Sequence, residues 1–422
     1  MTARQRPDVT GRRARLAVFW IFCLCGVICS LWSTSLPAIN ARLHLGETRL
    51  GIVLLLIGAG AVAVMPVTGR LCDRLGSRAV LRVGAPLSAV TLIGPALAPR
   101  FPVLLAAAFL LGAGIGSLDV AMNAHAIAVE RRYGRSIMSA FHGFWSVGGV
   151  VGSAVIATGL HIGAGTPVLM VSGALAAALL LAVPGPLLLP GGGRVRAATA
   201  GSQDARPATA PARQEPAAAT APARQEPAAA AAAARHSVVL LLGLVASAGF
   251  ICEGAAYNWA PLHAIRELHA APATAALAYT IFAAALMTGR LTGDRLGRRL
   301  GAVRAMGWAG GSAVCGYLLV LLAPSLPAGG LECDYAGWAV TGLGLATVVP
   351  VVFSAVGALD GGVGRALSRV AACAYAGELA GPAVIGPLAG ATSLRVAMLV
   401  PAGLALVIAV LGPVAIGRAT AR

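Results

Sequence analysis

The sequence predicts an all-α integral membrane protein with 12 transmembrane helices in two pseudo-symmetric six-helix bundles. Three observations lead there. Of the 422 residues, 58% are hydrophobic and only 11% charged, and the mean hydropathy is +0.82. A soluble domain carries about 25% charged residues, so this chain has too little polar surface to meet water on every side. Apolar runs long enough to cross a roughly 30 Å hydrocarbon core recur along the whole chain. They divide into two sets of six, separated by a segment of different composition.

The elements follow in order. A basic tail, 1–15, precedes the first bundle, 16–189. Its spans run near 16–38, 50–69, 79–98, 102–127, 137–162 and 166–189. The first run is too long for a signal peptide and has no Ala-x-Ala cleavage site, so it reads as a span. The segment 190–236 holds a tandem repeat, TAPARQEPAAA at 209–219 and again at 220–230. Pro, Ala, Arg and Gln without apolar periodicity read as a disordered linker, with a poly-Ala stretch able to be briefly helical. The second bundle, 237–417, has spans near 237–262, 272–292, 302–323, 334–358, 366–390 and 394–416, and a short tail, 418–422, follows.

Charge sets the orientation. All 32 basic residues are arginine. With the N-terminus in the cytoplasm, only Arg42, Arg49, Arg100, Arg266 and Arg395 fall on the far side, beside Glu332 and Asp334. An even number of spans returns the C-terminus to the cytoplasm. The net charge of +17 is then topology and contact with anionic lipid, not nucleic-acid binding. Most of the eight cysteines lie within apolar spans, with no metal-ligand spacing and no disulfide framework. No phosphate loop, Walker motif or nucleophile elbow is present. The chain is therefore not read as an enzyme, and neither a cofactor nor a metal is expected.

The two halves echo each other. Thr68-Gly69-Arg70-Leu71-Cys72-Asp73-Arg74-Leu75-Gly76-Ser77-Arg78 follows the second span, and Thr288-Gly289-Arg290-Leu291-Thr292-Gly293-Asp294-Arg295-Leu296-Gly297-Arg298-Arg299 follows the eighth, with one extra residue. Gly26-Val27-Ile28-Cys29 is matched by Gly249-Phe250-Ile251-Cys252. The G-x-L-x-D-R-x-G-x-R pattern at Gly69, Leu71, Asp73, Arg74, Gly76 and Arg78 resembles the signature loop of the major facilitator superfamily, and its copy is also typical of that family. The resemblance covers all but the tails and linker. It implies a secondary transporter that acts by alternating access and usually as a monomer. In physical terms, Gly69 is expected to permit a tight turn. Asp73 is expected to accept from Arg74, Arg78 or the N-terminus of a neighbouring helix. Such a cluster, with its copy at Gly289, Asp294 and Arg295, acts as a conformational latch.

A second resemblance lies inside the membrane. Gly112 to Asn123 is similar to the fourth span of the fucose–proton symporter group, and Ser139 to Gly149 is similar to that group's fifth. Here His142 stands where the symporters commonly carry Gln, and Asp119 where they carry Glu. Three acids, Asp119, Glu253 and Glu378, fall within spans, and no span interior is expected to hold an arginine to neutralise them. An isolated charge there costs several kcal/mol, so each acid must be protonated, hydrated or hydrogen-bonded, which is the physical case for proton coupling. Gly112, Gly116, Asp119 and Asn123 share one helical face, as do His142, Ser146, Gly149 and Ser153. Glu253 and Tyr257, followed by Asn258 and Trp259, suit a sugar-like or amphipathic ligand. Glu378, with Tyr375 and Pro382 nearby, is expected on a gating surface, and Trp32 on the cavity wall or in an interfacial belt. The sequence thus points to a multi-pass cell-membrane transporter for a small polar solute, coupled to protons. Efflux of amphipathic compounds is the alternative, and a non-transporting sensor or scaffold the remote one.

Overall fold

Hydrocarbon offers the backbone no water to bond, and an α-helix satisfies each peptide group within its own segment. The apolar stretches accordingly become helices in the computed structural model, which describes residues 9–190, 225–359 and 362–421. In the first half these are α1 (Val9–Leu43), α2 (Gly46–Leu75), α3 (Ser77–Val90), α4 (Ile93–Leu97), α5 (Phe101–Tyr133), α6 (Met138–His161) and α7 (Thr166–Ala182). The second half has α8 (Gln225–Leu268), α9 (Pro272–Leu300), α10 (Ala302–Leu322), α11 (Gly330–Leu345), α12 (Val348–Ala358), α13 (Val363–Ala391), α14 (Leu394–Ala397) and α15 (Leu399–Thr420). The third, tenth and twelfth expected spans are each broken into two helices, α3–α4, α11–α12 and α14–α15. Ten described segments are long and apolar enough to cross a membrane. Helices α9 and α13, 29 residues each, complete the twelve.

The repeat linker falls mostly on residues 191–224, outside the described residues, as do the first eight residues and Arg422. Its trailing poly-Ala stretch belongs to α8, which starts at Gln225 and runs unbroken into the seventh span.

The two halves pack by the same plan. Helix α2 lies on α5 as α9 lies on α11, and α1 on α6 as α8 on α13. Glycines set the close approaches. A side chain at Gly112 or Gly116 would run into the backbone of Ile57 or Ala61 on α2, one at Gly148 into Cys23 on α1, and one at Gly377 into Ser247 on α8. The halves meet along two seams, α2 against α13 and α6 against α9.

Two expectations change here. Gly69 makes no turn, because α2 continues through it to Leu75. What its missing side chain allows is the approach of α13, since a Cβ there would strike Ser368 and the Gly364 carbonyl. The turn falls at Gly76, which ends α2 at φ 87°. In the second copy Gly297 stays helical, and Gly301 takes that role at φ 80°. Trp32 is only 6% exposed and belongs to an apolar cluster with Leu31, Ile39, Leu111 and Met170. Burial against its own bundle removes it from the cavity wall and from an interfacial belt alike.

Candidate functional site: the seams and the centre between them

At the first seam, Asp73 near the end of α2 accepts hydrogen bonds from the backbone N–H of Gly364 (2.8 Å) and Arg365 (3.1 Å), and from Arg365 Nε (3.1 Å). The carboxylate thus caps the N-terminus of α13 in the other half, where exposed N–H groups and the helix dipole favour an anion. Neither Arg74 nor Arg78 is its partner. Arg74 is exposed, and Arg78 Nη2 turns to the Pro186 carbonyl (3.4 Å) within its own half.

The second seam repeats the arrangement. Asp294 near the end of α9 accepts from the backbone N–H of Ser139 (3.0 Å) and Ala140 (2.8 Å) and from Ser136 Oγ (3.3 Å), capping α6. Ser139 Oγ donates to the Arg290 carbonyl (2.8 Å), and Arg298 to the Ser136 carbonyl (3.2 Å). Gly293 allows the contact, because a Cβ there would meet Ser139 Oγ. Arg295 is exposed and takes no part. Gly289 packs inside its own half, against Leu343 of α11 and Ala346 just past its end.

Between the seams lies a polar centre. Arg290 is buried within α9, contrary to the expectation that no arginine neutralises the membrane acids. One of its nitrogens, Nη2, donates to both oxygens of Glu253, at 2.8 and 2.9 Å. The other, Nη1, crosses to Ser146 Oγ in the first half (3.2 Å), and the guanidinium sits 5.8 Å from the Trp145 ring centroid. Sequence reading missed this because Arg290 belongs to the repeated motif and looked like one more basic residue of a loop. The signal was its place two turns inside a helix-compatible run.

Asp119 on α5 is 9% exposed. It receives Asn123 Nδ2 on its carboxylate (3.1 Å) and on its backbone carbonyl (2.9 Å), while Asn123 Oδ1 is buried with no partner among the described residues. Glu378 is exposed although it lies midway along α13. It is near enough to Glu253 and Asp119 to interact electrostatically with both. Tyr375 on the same helix sits 5.6 Å from Phe250 by ring centroid.

His142 is 9% exposed, packed edge-on to Phe22 (5.2 Å) and near Phe353 of the other half (5.9 Å), and its buried Nε2 has no partner among the described residues. Tyr257 packs tilted against Tyr279 and edge-on to Phe282. Asn258 is exposed, but its amide folds back onto the Gly254 carbonyl (2.7 Å). Trp259 lies against Gly386 of α13, and its buried Nε1 has no partner among the described residues.

A second acid–base pair escaped sequence reading. Asp334, expected at the far-side end of its span, lies in α11 and is fully buried. His263 Nδ1 is 3.0 Å from one of its oxygens, and Trp338 Nε1 donates to the other (3.1 Å). The pair ties α8 to α11 inside the second half. Each partner alone looks like a polar residue at a span end, and nothing local links them.

All eight cysteines are free thiols, and no cluster of metal ligands occurs among the described residues.

Comparisons with known proteins agree with this architecture. A sequence profile described as Major Facilitator Superfamily matches residues 18–356. The uncharacterised transporter y4wD of Sinorhizobium fredii is 34% identical over 397 residues, covering 93% of this chain and 96% of that one. An uncharacterised MFS-type transporter of Yersinia pestis is 31% identical over 91% of this chain and 90% of its own. The membrane protein MosC of Rhizobium meliloti is 29% identical over 91% and 85%. Among solved structures, the transporter FucP in its outward conformation superposes with a TM-score of 0.68 at 17% identity, covering 95% of this chain and 98% of that one. The proton:xylose symporter XylE does so with a TM-score of 0.71 at 14% identity, covering 96% and 95%.

Proposed function

The chain belongs to the major facilitator superfamily of membrane transporters, and on that premise we propose that it is a proton-coupled carrier of a small polar solute, working by alternating access between its two halves. The observation that carries this reading is the unequal provision for three carboxylates at one centre. Glu253 has an arginine, whose Nη2 donates to both of its oxygens, while Asp119 and Glu378 have none among the described residues. An uncompensated carboxylate at membrane depth is costly when charged, so Asp119 and Glu378 are the groups to take up and release a proton as the centre opens and closes. FucP, named a fucose:proton symporter, and XylE are fold neighbours that couple a sugar to a proton.

Alternating access needs a face that closes and reopens. The polar contacts between the halves, apart from Arg290 to Ser146, gather at the arginine-rich end, at the Asp73 and Asp294 caps. We read that end as cytoplasmic and the described state as closed there. The latch releases when the two acids leave the helix N-termini. The protein acts as a monomer in the cell membrane, with both termini in the cytoplasm.

Aromatic pairs on the helices that carry Glu253 and Glu378, Tyr257 with Tyr279 and Tyr375 with Phe250, favour a second reading, proton-driven efflux of amphipathic compounds. Proteoliposomes separate the two. Solute-driven proton currents are recorded for sugars, polyols, amino acids and cationic dyes, in wild type and in Asp119→Asn and Glu378→Gln. The proposal expects current with a polar solute, and each variant is expected to keep exchange while losing proton-driven accumulation. Accumulation retained in both variants would sink the coupling assignment, and currents with dyes alone would favour efflux.

A further inference from the structure

At the arginine-rich end, the start of α13 faces the N-terminal part of α8 across a cavity of about 200 Å³. Its walls are Arg235 and Val239 from α8, and Gly362, Arg365, Ala366 and Arg369 from the start of α13. Three guanidinium groups therefore converge on one small space, and none of the lining residues is acidic. Arg365 commits only its Nε to Asp73, and its remaining nitrogens have no described acceptor. Arg369 is exposed and Arg235 half-buried, and neither has a described acidic partner. Arg235 belongs to this cluster because it lies on α8, which begins at Gln225 and runs into the seventh span.

Like charges held together repel, and the arrangement is stable only if something compensates them. Guanidinium forks match phosphate oxygens in geometry as well as charge. Carboxylate is already supplied to this region by Asp73, which is used on the α13 N-terminus. The apolar walls at Val239 and Ala366 suit a group presented on a hydrophobic body.

We propose that this cavity binds a phosphate group, held by Arg235, Arg369 and the free nitrogens of Arg365, and that its occupant is tied through Arg365 to the Asp73 seam. The source is either the headgroup of an anionic phospholipid or a soluble phosphate. Because the phosphate takes the Arg365 nitrogens that Asp73 does not use, occupancy holds that side chain in the orientation that the seam uses. The closed arrangement of the arginine-rich end is then favoured when the cavity is filled.

The test uses the full chain purified in detergent. Native mass spectrometry measures retention of phosphatidylglycerol and of phosphatidylcholine, and inorganic phosphate is titrated as a competitor. The double variant Arg235→Gln/Arg369→Gln leaves Asp73 and Arg365 intact. It is compared with Arg12→Gln/Arg13→Gln, which removes the same charge from the N-terminal end of α1. Thermal melting confirms that both variants fold. The cavity variant is expected to weaken phosphatidylglycerol binding roughly thirty-fold, with phosphatidylcholine unchanged and the control near wild type. Displacement by millimolar inorganic phosphate identifies a soluble source, and resistance to it identifies the lipid. Equal losses in the two double variants would reduce the effect to diffuse surface charge and overturn the proposal. So would wild-type binding that does not distinguish the two lipids.

Discussion

The α2–α13 seam and the α9–α6 seam are built from copies of one motif, and the copies differ in length by a single residue. In each, an aspartate near the end of a helix caps the N-terminus of a helix in the opposite half. In the first copy Arg70 stands three positions before Asp73; in the second, Arg290 stands four before Asp294. Each residue turns an α-helix by about 100°. With both aspartates aimed at their caps, the extra residue swings the second arginine by that angle. Arg70 is exposed, whereas Arg290 is 4% exposed and reaches Glu253 and Ser146. The difference teaches that a duplicated capping motif became asymmetric through helical phase. One seam ends at the surface, and the other is wired to the centre through one face of α9, which carries Arg290, Asp294 and Arg298.

Removing the wire should have the largest effect. Arg290→Met leaves a carboxylate buried without its partner, and breaking such a pair costs about 3–5 kcal/mol. Thermal melting should drop sharply and transport should be lost. Adding Glu253→Gln should restore most of the melting temperature without restoring transport. A double variant that transports normally would show that the ion pair is only structural.

Next come the caps. Asp294→Asn weakens charge-assisted bonds worth about 1.5–3 kcal/mol each. Labelling of a cysteine placed at buried Ser139, in a cysteine-free background, should speed up at least roughly ten-fold as the arginine-rich end opens. Asp73→Asn, read out at Ser368→Cys, should produce a smaller change. Its ion pair is with Arg365, whose side chain is 63% exposed, and an exposed pair is worth about 0–1 kcal/mol. Equal effects at the two seams would remove the asymmetry argued here.

Arg70→Gln should change least, with transport and melting within about 0.5 kcal/mol of wild type, as for an ordinary surface substitution. A large loss there would mean that Arg70 has a partner in the opposite conformation, and would restore symmetry to the motif.

Much of this was readable in the chain. The helices of the two bundles, the repeated motif and the three membrane acids stand in the sequence, because lipid acts on each segment by its own apolarity and span length. Asn123 is four residues from Asp119, so their hydrogen bond follows from helical spacing alone. Other assignments failed for a common reason. Gly69 looked like a turn because glycine serves turns and close packing equally well. Arg290 looked like loop charge because hydropathy does not report which way a helix face points. Trp32 looked like cavity wall or interfacial belt because an aromatic residue carries no mark of which neighbour will cover it.

The sequence by itself therefore determined the class of molecule, the duplication and the acids that must be managed in the membrane. These depend on the transfer of each segment from water to lipid, a property that is nearly additive along the chain. Only the tertiary structure decided which acid would be paired. Glu253 met Arg290, Asp334 met His263, and Asp119 and Glu378 were left to the centre. Those outcomes depend on the rotation of each helix about its axis and on the helix packed against it. An i-to-i+4 pattern defines a face, but only packing chooses what that face meets.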